Sequence, residues 1–270
     1  MQIWKSHTLR FGVLLLLTTI LAVSASAVTF TNASLKGGYG YLINRWTADV
    51  SVNQNAVVGV MVFDGLGHMT FSNTAVLGGI VQTASGSGTY AINANGTGTI
   101  TFTTGSNPPV FAIVLNSNAA GQANGFQLLT KNDNNNRIES GTALLQDTAA
   151  TTYTIANVKG SFGLLLNTWT ANSSELEDGI LALLTFDGKG KIKGTFSGVS
   201  SGVFESGTVT GTYTVNADGH GSFSLIASDG ATPTIAFALN TAKTGLAKGL
   251  QVLETSGSGN SVHSGTAVKQ

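Results

Sequence analysis

The sequence predicts an all-β chain folded as two tandem antiparallel eight-stranded meander barrels, with two β-sandwiches of the same strands as the alternative. Three observations carry this. Residues 88–102 place two alternating runs on either side of Asn95-Gly96, the strongest short-range hairpin signal a sequence holds. The pattern that begins at Gly88 returns from Gly211, now turning on Asp218-Gly219, a displacement of 123 residues. The chain has 35 glycines against 3 prolines and is only 10% charged, well under the roughly 25% of an ordinary domain. No long segment of 3.6-residue period lies between the alternating runs, which argues against crossover helices and a parallel sheet.

Residues 1–27 precede the repeat. Lys5 and Arg10 lead into an apolar run from Phe11 to Val23, and Ala25-Ser26-Ala27 supplies a small-residue cleavage pattern. That combination predicts a secretory signal peptide cut near Ala27, and therefore a secreted or periplasmic protein. The apolar run is too short for the roughly 18 residues a membrane-spanning helix needs. No cysteine follows it, so no lipid-anchor acceptor exists.

The first repeat, residues 28–148, reads as eight strands near 36–46, 56–64, 68–77, 86–93, 97–104, 110–117, 123–131 and 137–145. Clusters of Gly, Asn, Asp and Ser connect them, and connections this short favour pairing of sequence neighbours. In the fifth strand Thr97, Thr99, Thr101 and Thr103 share one face, while Ile100 and Phe102 share the other. One face is wet and one is packed, as in an antiparallel sheet curled around a core. A closed barrel of eight such strands removes both edges, and its interior is filled by side chains or holds one small ligand. The second strand departs from alternation: Val57, Val58, Val60, Met61, Val62 and Phe63 are apolar on both faces. Its counterpart holds Ile180, Leu181, Ala182, Leu183 and Leu184. Burial on both sides predicts that these outer faces pack against the other barrel or form a homo-oligomer.

The second repeat, residues 149–270, follows the polar joint Asp147–Thr152. Leu35-Lys36-Gly37-Gly38-Tyr39-Gly40 answers to Val158-Lys159-Gly160-Ser161-Phe162-Gly163, and Phe63-Asp64-Gly65 answers to Phe186-Asp187-Gly188. Beyond the central hairpin the offset grows by one, so that Gly125-Phe126-Gln127 matches Gly249-Leu250-Gln251. A repeat of this length is a whole domain rather than a solenoid unit.

Charge and composition narrow the function. Without Lys5 and Arg10 the chain carries 11 basic and 13 acidic residues, which offers neither a nucleic-acid footprint nor a basic cluster for anionic lipid. The cysteine count of 0 excludes thiol nucleophiles, thiolate metal sites and disulfides, so the cores must be self-sufficient.

The opening Gly37-Gly38-Tyr39 and Gly160-Ser161-Phe162 resemble the Gly-x-Trp of the calycin superfamily of lipocalin-like barrels. That resemblance implies an aromatic ring, here Tyr39 or Phe162, plugging one barrel end. Leu-Lys-Gly-x-Tyr-Gly, Phe-Asp-Gly-x-Gly and Gly-Thr-Tyr-x-x-Asn-x-Asp-Gly-x-Gly also look like repeats in secreted proteins of soil bacteria, largely without assigned function. The resemblance covers both copies and implies architecture and export.

The polar motifs read as turns. Asp64 and Asp187 sit in Phe-Asp-Gly-x-Gly, where Asp accepts local backbone bonds and Gly supplies positive φ. Asn216-Ala217-Asp218-Gly219 lacks the acidic residues that complete a calcium loop. Glu175, Glu177 and Asp178 form an acidic patch without a counterpart. His68, His220 and His263 each align with a different residue type (Lys191, Thr97 and Glu139), so no catalytic pair is duplicated. The sequence implies no cofactor and no metal.

The aromatics remain. Tyr39, Tyr90, Phe102 and Phe111 in the first copy, with Phe162, Tyr213, Phe223 and Phe237 in the second, fall on mainly apolar faces. As structure they are core; as a site they line an apolar pocket for a small ligand. Trp46 and Trp169 end the first strand of each repeat, where they would cap a barrel mouth. The function that follows is an exported, non-enzymatic barrel protein that binds a small apolar ligand or serves as an interaction module. One alternative is an isomerase or cyclase on the same scaffold, for which Asn44, Arg45, Gln127 and Asn167 are the polar candidates. Another is a single sixteen-stranded outer-membrane barrel.

Overall fold

The computed structural model describes residues 28–47, 55–105, 108–118, 120–132, 137–146, 152–170, 179–200, 202–241, 244–256 and 261–270. Residues 1–27, which the sequence predicts to be a signal peptide, most of the joint and the acidic patch at Glu175, Glu177 and Asp178 lie outside these residues. The first barrel runs through β1 (Lys36–Thr47), β2 (Asn55–Asp64), β3 (His68–Leu77), β4 (Ile80–Ile92), β5 (Thr97–Phe102), β6 (Val110–Ser117), β7 (Ala123–Asn132) and β8 (Arg137–Leu145). The second runs through β9 (Lys159–Thr170), β10 (Gly179–Asp187), β11 (Lys191–Ser200), β12 (Val203–Val215), β13 (His220–Ala227), β14 (Thr234–Thr241), β15 (Ala247–Glu254) and β16 (Ser261–Lys269). Every neighbour is antiparallel, and β1 pairs with β8 and β9 with β16, so each set closes on itself. The chain thus makes two closed barrels of eight strands, which overturns the single sixteen-stranded cylinder. No described helix is long and apolar enough to cross a membrane.

Turn chemistry sets the register. Asp64 Oδ1 accepts the backbone N–H of Leu66 at 2.6 Å and those of Gly67 and His68 at 3.0 Å, while Gly65 takes φ +82°. Asp187 repeats the device with Lys189 and Lys191 at 2.7 and 2.9 Å. These bonds, led by Leu66 for Asp64 and Lys191 for Asp187, hold both carboxyls below the usual carboxylate range. One strand exceeds its expected length: β4 starts at Ile80 rather than near 86, because Gly78 and Gly79, at φ +58° and +78°, turn directly from Leu77 to Ile80. A Gly-Gly pair is itself a hairpin signal.

One end of each barrel is sealed alike. A one-turn 3-10 helix, Asn32–Ser34 in the first copy and Ile155–Asn157 in the second, crosses beneath the sheet. A buried phenol ties it down: the Tyr90 hydroxyl donates to Leu35 O at 2.9 Å, and the Tyr213 hydroxyl to Val158 O at 2.8 Å. Above lies an edge-to-face aromatic cluster. Phe63 packs on Tyr39, Tyr90 and Phe126, and Phe186 on Phe162, Tyr213 and Phe223, with ring centroids between 5.0 and 5.8 Å. The outward Thr/Ser rows and inward Ile/Phe rows produce the alternating burial of β5 and β13.

The barrels dock through unlike faces. Leu42, Ala56, Val58, Val60 and Val76 of β1–β3 bury against Ala236, Ala238, Leu253 and Val262 of β14–β16. Backbone approaches closely here, since a Cβ on Gly40 would lie 2.5 Å from the Leu239 carbonyl oxygen. The double-sided run in β2 thus packs against the other barrel, whereas the outer residues of β10, Leu181 and Leu183, are exposed.

Candidate functional site

The second barrel is hollow at the end opposite its 3-10 helix. A cavity of about 260 Å³ opens among the last residues of β9, β11, β13 and β15 and the first of β10 and β14. Its wall is apolar: Leu164, Leu166, Ile180, Ala182, Phe196, Val209, Leu225, Ala227 and Ile235. Glu205, Asp229 and Glu254 supply carboxylates at the lining and His263 an imidazole, and the first two are exposed.

Matched positions in the first barrel carry larger side chains. Tyr41, Phe102 and Phe111 occupy the places that Leu164, Leu225 and Ile235 take in the second barrel. The ring of Phe102 packs at 4.8 Å from Phe71 and 5.7 Å from Phe111. Phe71 itself aligns with Gly194. Tyr41 is fully buried; burial raises its phenol pKa well above the ordinary value, and its oxygen accepts a hydrogen bond from Asn73 at 3.0 Å. Interiors of proteins pack to near-crystalline density, so replacing rings by aliphatics leaves space that its neighbours only partly close.

The polar chemistry at this end also differs. In the first barrel Arg45 and Glu139, opposite each other on β1 and β8, form an inward-facing ion pair. Thr168 and His263 stand at the same places in the second barrel. His263 turns its Nδ1 to Glu254 Oε2 at 2.5 Å, and Glu254 Oε1 accepts from the Ser256 hydroxyl at 2.9 Å. Burial acts to raise the Glu254 pKa, but the hydrogen bond and charge of His263, with Ser256, outweigh it and hold the carboxyl below its usual range. With Nδ1 engaged, Nε2 is the ring atom left to exchange a bond or proton with an occupant. The Thr168 hydroxyl is buried on the same inward row and has no hydrogen-bond partner among the described residues.

The aromatic residues singled out from sequence sit elsewhere. Tyr39, Tyr90, Phe162, Tyr213, Phe223 and Phe237 belong to the sealed ends, and Phe102 and Phe111 to the filled interior of the first barrel. None of the eight lines the cavity. Trp46 is half-buried near the end of β1 opposite Ile138, and Trp169 lies in β9 opposite Val262. Of the polar candidates only Arg45 points inward; Asn44 accepts the Ser264 hydroxyl at 2.8 Å across the barrel interface, and Gln127 and Asn167 are exposed. From sequence His263 is set aside and Glu254 is not singled out, although strand parity places both on inward rows. Glu254 follows Leu250 and Val252 on the inward row of β15, and His263 shares the parity of the buried Ala267.

Between the barrels lies an open polar cleft of about 650 Å³. There the Ser72 hydroxyl donates to Asp218 Oδ2 at 2.5 Å, and Thr74 Oγ1 meets His220 Nε2 at 3.2 Å. Desolvation lowers the His220 pKa, partly offset by Asp218. These bonds tie the barrels together. No group of three metal-ligating side chains is present among the described residues.

No family model matches this chain, and no curated protein does. Among solved structures it is similar to a protein of unknown function of the DUF3598 family from Nostoc punctiforme, at 12% identity over 87% of this chain and 96% of that one, with a TM-score of 0.28. It is similar to kievitone hydratase from Nectria haematococca at 8% identity, covering 93% and 94% of the two chains, with a TM-score of 0.30. Transferrin binding protein B from Haemophilus parasuis matches at 8% identity over 87% and 77%, with a TM-score of 0.26. Likenesses this distant assign no activity to the site.

Proposed function

We propose that this is an exported protein whose second barrel binds a small, largely apolar molecule at its open end. The molecule's polar end meets Glu254, His263 and the Thr168 hydroxyl, and the first barrel is a solid partner. The observation that supports this reading is the replacement of Tyr41, Phe102 and Phe111 by Leu164, Leu225 and Ile235, which accompanies a cavity of about 260 Å³. That volume lies just under the roughly 300–1,000 Å³ of ligand sites and suits a small occupant. No cofactor is required.

Titration with the neutral fluorophore N-phenyl-1-naphthylamine tests it. Saturable binding is expected in the native protein. Leu225→Phe with Ile235→Phe, which restores the aromatic filling of the first barrel, should weaken it at least tenfold, about 1.4 kcal/mol. Unchanged affinity in the filled variant overturns the reading.

The 2.5 Å Glu254–His263 contact favours a second reading, acid–base chemistry on the bound molecule. A carboxylate that orients imidazole through Nδ1 leaves Nε2 to move a proton between two atoms of one substrate, an isomerisation that consumes no co-reactant. Under that reading His263→Gln keeps the fluorophore affinity and loses turnover.

A further inference from the structure

The docking between the barrels joins two different faces, and the repeat supplies each face a second time. Leu42, Val58, Val60 and Val76, buried at the interface, correspond to Leu165, Leu181, Leu183 and Val199 of the second barrel. Those four are 43–59% exposed. On the opposing side, Ala238, Leu253 and Val262 correspond to Val114, Leu129 and Ile138 of the first barrel, which are 51–57% exposed. The accessory features recur with them. Gly163 stands where Gly40 admits the partner backbone, and Ser140 and Asn167 match the hydrogen-bonded Ser264 and Asn44. Gln127 and Thr266 likewise match Gln251 and Thr142, whose side chains meet at 3.4 Å.

We propose that copies of this chain assemble head to tail. The β9–β11 face of one chain seats on the β6–β8 face of the first barrel of the next, repeating the arrangement that already joins the two barrels. The occupant of each exposed face is a second copy of this chain because the chain itself carries the partner surface: both aliphatic rows and both polar pairs of an existing interface recur, one set on each barrel. Exposed aliphatic patches of this kind mark association surfaces. A contact between unlike faces is heterologous, so it closes into a ring or continues as a filament, and it has no twofold axis. This differs from pairing of two β10 faces, which would be isologous and stop at a dimer. It does not depend on the cavity or its occupant.

Sedimentation velocity of the purified protein across a concentration series provides the test, with circular dichroism and thermal melts confirming that each variant is folded. The native chain should form species larger than a dimer as concentration rises. Leu183→Glu and Leu129→Glu, at exposed positions on the two faces, should each remain monomeric alone. Mixed together they should give a species of two chains and nothing larger, because one intact copy of each face survives. A native chain that stays monomeric throughout overturns the proposal. So does a Leu129→Glu variant that assembles as well as the native chain, which would point to pairing of β10 faces.

Discussion

Tyr41, Phe102 and Phe111 belong to the buried core of the first barrel, while Leu164, Leu225 and Ile235 at the same points of the second line an empty space. The strand order, the sealed end with its phenol clamp and the Asp-Gly turns are shared by both. The copies therefore separate two requirements that a single-barrel protein must meet together. Both copies supply a docking face, and the second is relieved of dense packing at its mouth.

Core truncation tests this contrast with the largest effect. Phe111→Ala removes a ring from a filled interior and should cost about 3–5 kcal/mol in denaturant titration. Ile235→Ala enlarges a wall that already lacks neighbours on one side, and about 2 kcal/mol is expected. Equal costs would mean that the second barrel is closed in solution. Next in size are the inward polar pairs. Glu139→Ala strands Arg45 in the first barrel, where an uncompensated charge costs several kcal/mol; about 2–3 kcal/mol is expected because the guanidinium is 15% exposed. His263→Ala should cost less, about 1.5–2 kcal/mol, because Glu254, whose side chain is 11% exposed, loses one bond to a charged group but keeps the Ser256 hydroxyl. The reverse order would make the His263 pair a structural anchor rather than a ligand contact.

The smallest effect is on pH dependence, and it belongs to the second copy and the interface. His220 is half-buried and desolvation lowers its pKa below 6.5, so the unfolded chain binds the proton more readily. Stability is complete above pH 6.5 and declines as pH falls from there toward the lowered value. His220→Thr, which installs the residue found at Thr97, should remove that slope. Glu254 is also depressed, from 4.5, and its contribution persists above that value and fades as pH falls through the lower one. Glu254→Gln should flatten this more acidic limb, whereas the limb due to Asp64 and Asp187 is common to both barrels.

The architecture was legible because its signals are local and duplicated: Asn95-Gly96, Asp218-Gly219 and the Thr/Ile alternation of β5 each state a turn or a face outright. The site was less legible. Large aromatics attract attention as ligand-lining groups, yet Phe162 and Phe223 pack so well with Phe186 that they leave no room, and the cavity arises where rings are missing. An absence shows only when the copies are aligned and side-chain size is compared position by position, as at Phe102 and Leu225. Glu254 and His263 lie nine residues apart across a strand connection, so only strand parity joins them. The unlike docking faces were hidden for a different reason. The aliphatics of β2 and β10 are equivalent in sequence, and only the three-dimensional arrangement decides which one is covered.

The phenol clamps at Tyr90 and Tyr213 fasten shut the far end of each barrel, so the hollow copy is a cul-de-sac. If the proposed ligand enters there, it has to back out through the same doorway. Under the proposed function, the hairpin and loop around that doorway, where Ser200, Glu205, Asp229 and Pro233 stand, would govern how fast a guest leaves.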